Sequence, residues 1–290
     1  MNHFDYNEFT TRNIGFVDAS EQLKLKNAKV FVAGVGGMGG VAIALLARSG
    51  VGELHFADID TFEISNFNRQ VFASLDSLDE DKAEFTQKEL LKINPDLKIK
   101  RYGSEWILKL SSILDEVDFV INGCDDIKAT LTLMRAAKDK NKTVIDAFAS
   151  TLPSVYVIKP NDPRPEKTFQ YPSLGRPLDQ LSEEDLNTIV LKEIQYVMTH
   201  SSSANHVVLK HAIEMARGER SRMSFAPMVW MTGCLMSYEA TKLILGYKNT
   251  ASYKGIFYNP WKFRVEKPLP KFFAMIKGFA VRKYFEKVLK

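Results

Sequence analysis

The sequence predicts an α/β fold, with a doubly wound, Rossmann-like, mainly parallel sheet and a C-terminal antiparallel extension. Three observations support this prediction. Short apolar runs alternate with helical segments over the first 150 residues, a glycine-rich turn joins the first strand to the first core helix, and the alternation stops after residue 150. Because parallel strands need long crossovers, such alternation is typical of a parallel sheet with helices on both faces.

The elements of the first half follow from runs of β-branched and apolar residues that end at turn residues. The first run ends in glycines and precedes an Ala- and Leu-rich helix, and a later helix stops at an Asn-Pro pair. The predicted strands are residues 29–33, 53–57, 97–102, 117–122, 143–149 and 154–159, and the predicted helices are residues 41–49, 82–93 and 129–140.

The second half has a different pattern. Five prolines in residues 160–177 predict a long irregular connection. A Ser cap with an acidic first turn then opens a helix, and a nearly uncharged segment that ends before a glycine predicts a buried one. The predicted elements are helices at 182–198, 205–217 and 227–245 and a strand pair at 253–258 and 262–265.

Composition excludes several classes of protein. Of the 290 residues, 45% are apolar and 26% charged, which is typical of a globular chain. Two cysteines exclude a disulfide framework and a cysteine-rich zinc site. The last twenty residues hold six basic residues and one acidic one, which leaves a nearly neutral body and argues against general nucleic-acid binding. Without a signal-like or bilayer-length apolar segment, we expect a cytoplasmic protein.

The glycine-rich turn carries the first chemical signal. Gly34, Gly36, Gly37 and Gly39 form a G-x-G-x-x-G pattern between a strand and a helix, and Asp58 follows 19 residues after the last of them. Small residues let a phosphate approach the helix N-terminus, and the carboxylate can accept ribose hydroxyls. The pattern therefore predicts an adenosine nucleotide, although glycines that serve only tight strand–helix packing remain the alternative.

The residues after Asp58 favour a triphosphate over a nicotinamide dinucleotide. Asn66, Arg69 and Gln70 offer a guanidinium and two amides just beyond the second strand, and Lys82 opens the next helix. Asp125 follows the fourth strand at the carboxyl edge of the sheet, where a carboxylate can hold Mg²⁺ that bridges phosphates. These side chains predict an ATP and Mg²⁺ site.

These motifs together resemble the ThiF/MoeB/HesA family, the bacterial relatives of ubiquitin-activating E1 enzymes. The resemblance is strong over residues 10–150 and returns at 233–246. The matching motifs are the glycine turn, Asp58-Ile-Asp60, Ser65-Asn66-Phe-Asn-Arg69-Gln70, Asp81-Lys82, Ile93-Asn94-Pro95 and Gly123-Cys124-Asp125-Asp126.

The resemblance implies an E1-like adenylyltransferase that activates a carboxylate as an acyl-adenylate and releases pyrophosphate. It implies that Asp58, with Asp60 beside it, binds the ribose end of the nucleotide. Arg69, Asn66 and Gln70 would bind the β- and γ-phosphates. By the same resemblance, Lys82 would contact phosphate near the reacting centre, and Asp125 would hold Mg²⁺. It also implies that Arg12 reaches the ATP of a partner subunit, so that the enzyme works as a homodimer. The carboxylate would belong to a ubiquitin-like carrier protein or a peptide.

The chain departs from the family in two ways. The paired C-x-x-C motifs that hold structural zinc in many relatives are missing, so no zinc is expected, and residues 152–233 contain no cysteine for a thioester. We therefore expect the acceptor to come from another molecule. Two alternatives stay open, a NAD(P)- or FAD-dependent oxidoreductase and a non-catalytic nucleotide-binding adaptor.

The resulting division of the chain has five segments. They are an N-terminal arm (1–26), a Rossmann-like ATP-binding core (27–160), a variable crossover (161–224), a C-terminal core helix with strands (225–268) and a basic amphipathic tail (269–290). In the tail, residues 280–290 place apolar and basic side chains on opposite helical faces. Such a helix docks on protein or contacts an anionic membrane peripherally, and the sequence leaves both open.

Overall fold

The computed structural model describes residues 4–216, 219–221 and 223–288. Eight strands form one sheet in the order β3-β2-β1-β4-β5-β6-β7-β8. The strands are β1 (Lys29–Ala33), β2 (Glu53–Ala57), β3 (Lys98–Tyr102), β4 (Phe119–Asn122), β5 (Val144–Asp146), β6 (Ser154–Ile158), β7 (Ile256–Asn259) and β8 (Arg264–Glu266). The helices are α1 (Tyr6–Thr10), α2 (Ala19–Asn27), α3 (Gly37–Arg48), α4 (Lys82–Ile93), α5 (Trp106–Glu116), α6 (Ile127–Asp139), α7 (Pro165–Thr168), α8 (Glu183–His200), α9 (Leu209–Ala216), α10 (Ala226–Leu245) and α11 (Lys271–Val288).

The strand directions confirm the predicted fold class. The first five strands run parallel, and β6, β7 and β8 continue the sheet with antiparallel pairs. Val32 of β1 pairs with Phe56 of β2 on one side and with Ile121 of β4 on the other. The chain order reverses at β1, so the crevice between the carboxyl ends of β1 and β4 is the position where open α/β sheets bind ligands.

Side chains of β1 alternate between two hydrophobic cores. Val30 and Val32 belong to the core that contains α3 and α10, whereas Phe31 and Ala33 belong to the core that contains α5 and α6. All four side chains are fully buried, as expected for a central strand of a doubly covered sheet. This strand therefore fixes the position of the glycine turn that follows it.

Several elements differ from the prediction. Helix α5 was not predicted, although Trp106, Leu110, Ile113 and Leu114 follow a helical repeat and are all buried. Helix α3 begins at Gly37 rather than at residue 41, because the glycines themselves form its first turn. The helix predicted at 205–217 is shorter, since residues 203–206 form a 3₁₀ turn and α9 spans Leu209–Ala216; Arg217 lies outside the described residues.

The predicted irregular connection at residues 160–177 is anchored by a buried ion pair. The carboxylate of Glu166 is fully buried and accepts hydrogen bonds from Arg135 Nη2 at 2.6 Å and from Arg135 Nε at 3.2 Å. Ser173 donates to the same carboxylate, and Arg135 also donates to the Ser173 carbonyl. The connection is therefore fixed to α6.

Helix α10 is buried on one face only. Met236 and Ala240 are fully buried in the core, but Trp230 and Tyr238 are exposed. The prediction of a buried helix is therefore wrong for the outer face. Its inner face packs tightly on α3, because a Cβ added at Gly233 would lie 2.6 Å from the Cβ of Val41.

The tail helix begins earlier than its sequence pattern indicated. Helix α11 starts at Lys271, and Val281 and Phe285 are buried at its contact with α8. Ala280, predicted on the same apolar face, is exposed, and Leu289 and Lys290 lie outside the described residues. Among the helices that the structure describes, none combines the length and the hydropathy that crossing a bilayer requires.

Candidate active site

The glycine turn lies in the crevice between β1 and β4. Gly34 adopts a φ of +85°, and its N–H donates to the Ala57 carbonyl at 2.7 Å. A Cβ at Gly34 would lie 2.7 Å from the Gly123 carbonyl oxygen, at the end of β4. Glycine is therefore required here both for its backbone conformation and for the approach of the two strand ends.

The other glycines of the motif have different neighbours. A Cβ at Gly39 would collide with the Gly34 carbonyl, and one at Gly37 would lie 2.7 Å from a methyl group of Val229 in α10. Gly36 faces the side chain of Gln70, whose Nε2 would lie 3.4 Å from an added Cβ. Tight packing thus accounts for Gly37 and Gly39, while Gly36 leaves room over the N-terminus of α3.

Asp58 follows β2 and holds the glycine turn through its carboxylate. Oδ2 accepts a hydrogen bond from the Val35 N–H at 2.8 Å, and Oδ1 accepts one from the Asp60 N–H at 3.0 Å. Burial raises the pKa of Asp58 above its ordinary value, and the two N–H donors partly offset that effect. Each oxygen keeps a second lone pair for a further donor such as a ribose hydroxyl.

Lys82 is buried and forms an ion pair instead of extending into solvent. Its Nζ lies 3.0 Å from Oδ2 of Asp60, and its N–H donates to the Asp60 carbonyl. Asp81, the preceding residue, caps α4 by accepting from the Glu84 N–H. The ammonium has three donors, so it can keep Asp60 and still donate to another acceptor.

The segment after β2 places Arg69 and Gln70 beside the glycine turn. Arg69 donates through Nη1 to the Ser65 carbonyl at 2.8 Å, and its Nε and Nη2 make no hydrogen bond in the described part of the chain. The Oε1 of Gln70 is buried and also lacks a partner there. A buried polar atom without a partner is rare and indicates a place for a ligand donor or a water.

The side-chain amide of Asn66 hydrogen-bonds within its own turn. Its Oδ1 accepts from the Glu63 N–H at 3.1 Å, and its Nδ2 donates to the Ser65 hydroxyl at 3.3 Å. The buried amide thus closes the 3₁₀ turn at residues 64–66, and the Asn66 carbonyl accepts from the N–H groups of Arg69 at 3.0 Å and of Gln70 at 2.9 Å. One hydrogen of Nδ2 is used by the turn, and the second stays available to another acceptor.

The start of α10 supports the Arg69 segment, a contact that the sequence did not predict. The indole Nε1 of Trp230 donates to the Arg69 carbonyl at 2.8 Å, and the Asn68 amide donates to the Ser224 carbonyl at 3.1 Å. These bonds join segments about 160 residues apart in the chain. In the sequence, the one feature that could have indicated this contact is a tryptophan three residues after a proline at the start of a helix.

Asp125 lies exposed after β4, with no hydrogen bond or ion pair to any described residue. The neighbouring Asp126 caps α6 through its Oδ1, which accepts from the Ala129 N–H at 2.7 Å. In the described ranges no three His, Cys, Asp or Glu side chains cluster around a common metal position. A Mg²⁺ ion here would thus take one protein carboxylate and complete its shell with phosphate oxygens and water, as it commonly does.

A buried polar cluster lies behind the Asp125 loop. Tyr156 donates to Oδ2 of Asp146 at 2.6 Å, and the Asn122 amide donates to the same oxygen at 3.1 Å. Complete burial raises the pKa of Asp146 to about 7, although these hydrogen bonds lower it. Asn122 Oδ1 also accepts from the Cys124 N–H at 3.4 Å, so the cluster is connected to the loop that carries Asp125.

Arg12 stands apart from this group. It lies in a 3₁₀ turn at Thr11–Asn13, is exposed, and makes no ion pair within the residues described. The structure thus brings the glycine turn together with Asp58, Gln70 and Arg69, pairs Asp60 with Lys82, and places Asp125 at the adjacent strand end. Arg12 contacts none of them in the single chain.

Comparison with known proteins decides the family. The ThiF family model matches residues 10–272, which is most of the chain. The chain belongs to the ThiF family. The molybdopterin-synthase adenylyltransferase of Haemophilus influenzae is 32% identical over 151 residues, which cover 51% of this chain and 62% of that relative. The match to the curated relatives thus spans less than two thirds of their length.

Solved structures show the same fold for this ThiF-family chain. The crystal structure of SeMet PaaA has a TM-score of 0.61 at 20% identity and covers 92% of this chain and 84% of PaaA. A structure of E. coli MccB with AMPCPP and MccA has a TM-score of 0.63 at 20% identity and covers 93% and 75% of the two chains. At this identity the likeness concerns the fold alone.

Proposed function

We propose that this protein is an ATP-dependent, E1-like adenylyltransferase that activates a carboxylate as an acyl-adenylate. The observation that carries the proposal is a set of polar groups around the glycine turn that make no hydrogen bond to a described residue: Arg69 Nε and Nη2, the Gln70 amide, whose Nε2 faces Gly36, and the Asp125 carboxylate. A cation, an amide and a metal-binding carboxylate beside a helix N-terminus suit a magnesium triphosphate. The ThiF family membership supports the same assignment.

The side chains around the glycine turn act on different parts of ATP during the reaction. The substrate carboxylate oxygen bonds to the α-phosphorus of ATP, the α–β phosphoanhydride bond breaks, and pyrophosphate leaves. The Arg69 guanidinium and the Nε2 group of Gln70 donate to the β- and γ-phosphates, and Lys82 donates to phosphate while it keeps its ion pair with Asp60. Asp58 accepts the ribose hydroxyls on its free lone pairs. The reaction needs no nucleophile or base from the protein, because the substrate carboxylate is itself the nucleophile. The protein accelerates it by positioning the two substrates and by neutralising charge on the phosphates.

Asp125 would hold the magnesium ion. Bound there, Mg²⁺ would neutralise charge on the phosphate oxygens. The Asn122–Asp146–Tyr156 cluster supports the loop from behind, so we assign it a positioning role for Asp125.

The acyl acceptor comes from another molecule in this proposal. Burial raises the pKa of Cys124 to about 11 and raises that of Cys234 as well, so both thiols stay protonated at neutral pH. A protonated thiol is a weak nucleophile. Neither cysteine is therefore assigned a thioester role, and no structural zinc is assigned.

The carboxylate is assigned to the C-terminus of a ubiquitin-like carrier protein or of a peptide. This assignment is supported by a curated relative named molybdopterin-synthase adenylyltransferase and by a structural neighbour, E. coli MccB, that was solved with AMPCPP and MccA. The Arg12 guanidinium, which has no ion pair among the described residues, is assigned to the ATP site of a second copy, which makes the working unit a homodimer. We place the reaction in the cytoplasm.

Trapping the activated carboxylate tests the proposal. With MgATP, hydroxylamine and a panel of peptides with free C-termini, we expect pyrophosphate release and a peptide hydroxamate for the substrate class. Arg69→Ala should abolish both, while Arg48→Ala, an exposed arginine at the end of α3, should not. Hydride transfer to NAD⁺ or FAD would instead support the oxidoreductase alternative, which would use the same glycine turn and Asp58. MgATP binding without turnover of any carboxylate would support the non-catalytic adaptor.

A further inference from the structure

Helix α11 has two apolar faces, and within the described part of the chain α8 covers one of them while the other is exposed. Val281 and Phe285 are buried at the contact with α8. The opposite face carries five large apolar side chains, each between 54% and 63% exposed: Phe272, Phe273, Met275, Ile276 and Phe279. We call these five residues the outer apolar stripe. Four of them follow the i, i+3, i+4, i+7 spacing of one helical face.

An exposed stripe of this size is unusual for a protein surface that faces only water. Singly exposed apolar residues are normal, but contiguous groups of large ones mark interaction sites. Phe272 and Phe273 contact each other edge to face, with ring centroids 5.6 Å apart, so the aromatic surface is continuous. The stripe therefore needs an occupant.

The charges around the stripe are predominantly basic. Residues 262–288 hold eight basic side chains and two acidic ones. Lys271 begins the helix, and Arg282 and Lys287 are exposed in its last turns without an ion pair to the described residues. Lys283 is paired with Glu286 at 2.7 Å. Basic residues therefore lie at both ends of the stripe.

We propose that the outer face of α11 binds an anionic membrane surface. The aromatic stripe would enter the boundary between headgroups and acyl chains, and Lys271, Arg282 and Lys287 would contact anionic headgroups. A second copy is a poorer occupant, because a twofold interface would bring the same basic surface against itself. Single-stranded nucleic acid is also poorer, since Met275 and Ile276 offer no ring for base stacking.

The binding requires no rearrangement of the fold. Val281 and Phe285 keep their contact with α8 while the opposite face enters the lipid, so α11 lies parallel to the membrane plane. The site is centred on residues 272–279, in the two helical turns before residues 280–290, for which the sequence pattern predicted the amphipathic helix. It is independent of the adenylation proposal, and its failure would leave that proposal unchanged.

Sedimentation of the full chain with lipid vesicles tests the proposal. We expect binding to phosphatidylcholine vesicles that contain phosphatidylglycerol and at least about tenfold weaker binding without it, because each basic residue near the surface contributes about fivefold in affinity. Phe272→Ser/Ile276→Ser/Phe279→Ser should weaken binding at least about tenfold. Leu75→Ser/Leu108→Ser, which changes exposed apolar residues elsewhere, is the matched control and should bind as the parent does.

The charge contribution is tested separately. Arg282→Glu/Lys287→Glu should weaken binding to the anionic vesicles only, and added salt should weaken the parent protein in the same way. Equal vesicle binding by the parent and the triple-serine variant would overturn the proposal. So would a change of sedimentation coefficient in that variant without lipid, which would identify a second copy as the occupant, or binding to an oligonucleotide but not to vesicles.

Discussion

The ammonium of Lys82 lies 3.0 Å from a carboxylate oxygen of Asp60, and the lysine is buried while the aspartate is mostly exposed. Two residues that the sequence assigns to the nucleotide thus bind each other. The pair holds the lysine side chain at the end of β2 in one conformation. A preorganised donor loses little entropy on binding phosphate, so the pair prepares the site rather than blocking it.

Replacing Lys82 tests this relationship. We expect Lys82→Met to weaken MgATP binding by about tenfold to a hundredfold, because one charge-assisted hydrogen bond to phosphate is lost. Calorimetric titration measures the affinity. Lys88→Met on the exposed side of the same helix, where Lys88 pairs with Glu84, is the control. Equal affinity of Lys82→Met and the parent would show that the lysine serves only Asp60.

Trp230 should affect nucleotide binding without touching the nucleotide. Trp230→Phe keeps the ring but loses the hydrogen bond to the Arg69 carbonyl, so we expect MgATP affinity to fall about fivefold. The thermal midpoint should change little, because the side chain is half exposed. Tyr238→Phe, an exposed ring on the same helix, should leave both quantities unchanged. An unchanged MgATP affinity in Trp230→Phe would show that the hydrogen bond from α10 does not contribute to nucleotide binding.

Glu166 should contribute strongly to stability. Glu166→Ala leaves the guanidinium of Arg135 partly buried without its partner, and we expect the free energy of unfolding to fall by about 3–5 kcal/mol. Urea unfolding measures the change, and hydrogen exchange should increase within residues 160–177. Lys128→Ala on the exposed side of α6 is the control. A loss no greater than that of the control would mean that the ion pair does not fix the connection.

Asp146 should make stability depend on pH. Its pKa is about 7 in the folded protein and near 3.8 when unfolded, so the native state retains a proton that the unfolded state releases between these values. The free energy of unfolding should therefore fall as pH rises through this window. In Asp146→Asn the difference between about pH 5 and about pH 8 should shrink by roughly 2–3 kcal/mol. Asp139→Asn, an exposed aspartate, should keep the parent's pH dependence, and an Asp146→Asn curve of unchanged slope would contradict the assignment.

Arg12 can be assigned by mixing two inactive variants. If Arg12 completes the partner's site, a heterodimer of Arg12→Ala with Arg69→Ala contains one site with both arginines and one with neither. An equal, exchanged mixture should therefore bind MgATP with parental affinity at about a quarter of the parental stoichiometry. Calorimetry gives that stoichiometry directly. No recovery in a mixture that sedimentation shows to be dimeric would leave Arg12 without a role in the site.

The fold could be predicted because the signals for it are local. β2 and α4 begin and end at the predicted residues, since Asp81 caps the helix and Asn94-Pro95 stops it. The glycine turn was also predicted, because its glycines directly follow a β-branched run, whereas the strand order that places this turn at the reversal between β1 and β4 came from the structure. Helix α5 was missed although its apolar repeat was present.

The contacts within the site could not be predicted, because they depend on partners distant in the chain. Nothing near Asn66 indicates that its amide is used by its own turn, and nothing near Arg69 indicates Trp230. Likewise, the sequence around Lys82 does not indicate its ion pair with Asp60, which lies 22 residues earlier in the chain. The roles assigned to these side chains and the five-segment division of the chain remain predictions.

The central claim is that the glycine turn binds magnesium ATP, and calorimetric titration tests it most directly. The parent protein and Arg69→Ala are each titrated with MgATP and, separately, with NAD⁺. We predict saturable MgATP binding by the parent, its loss in Arg69→Ala, and no NAD⁺ binding by either. NAD⁺ binding without MgATP binding would contradict the adenylation site and assign the glycine turn to a dinucleotide.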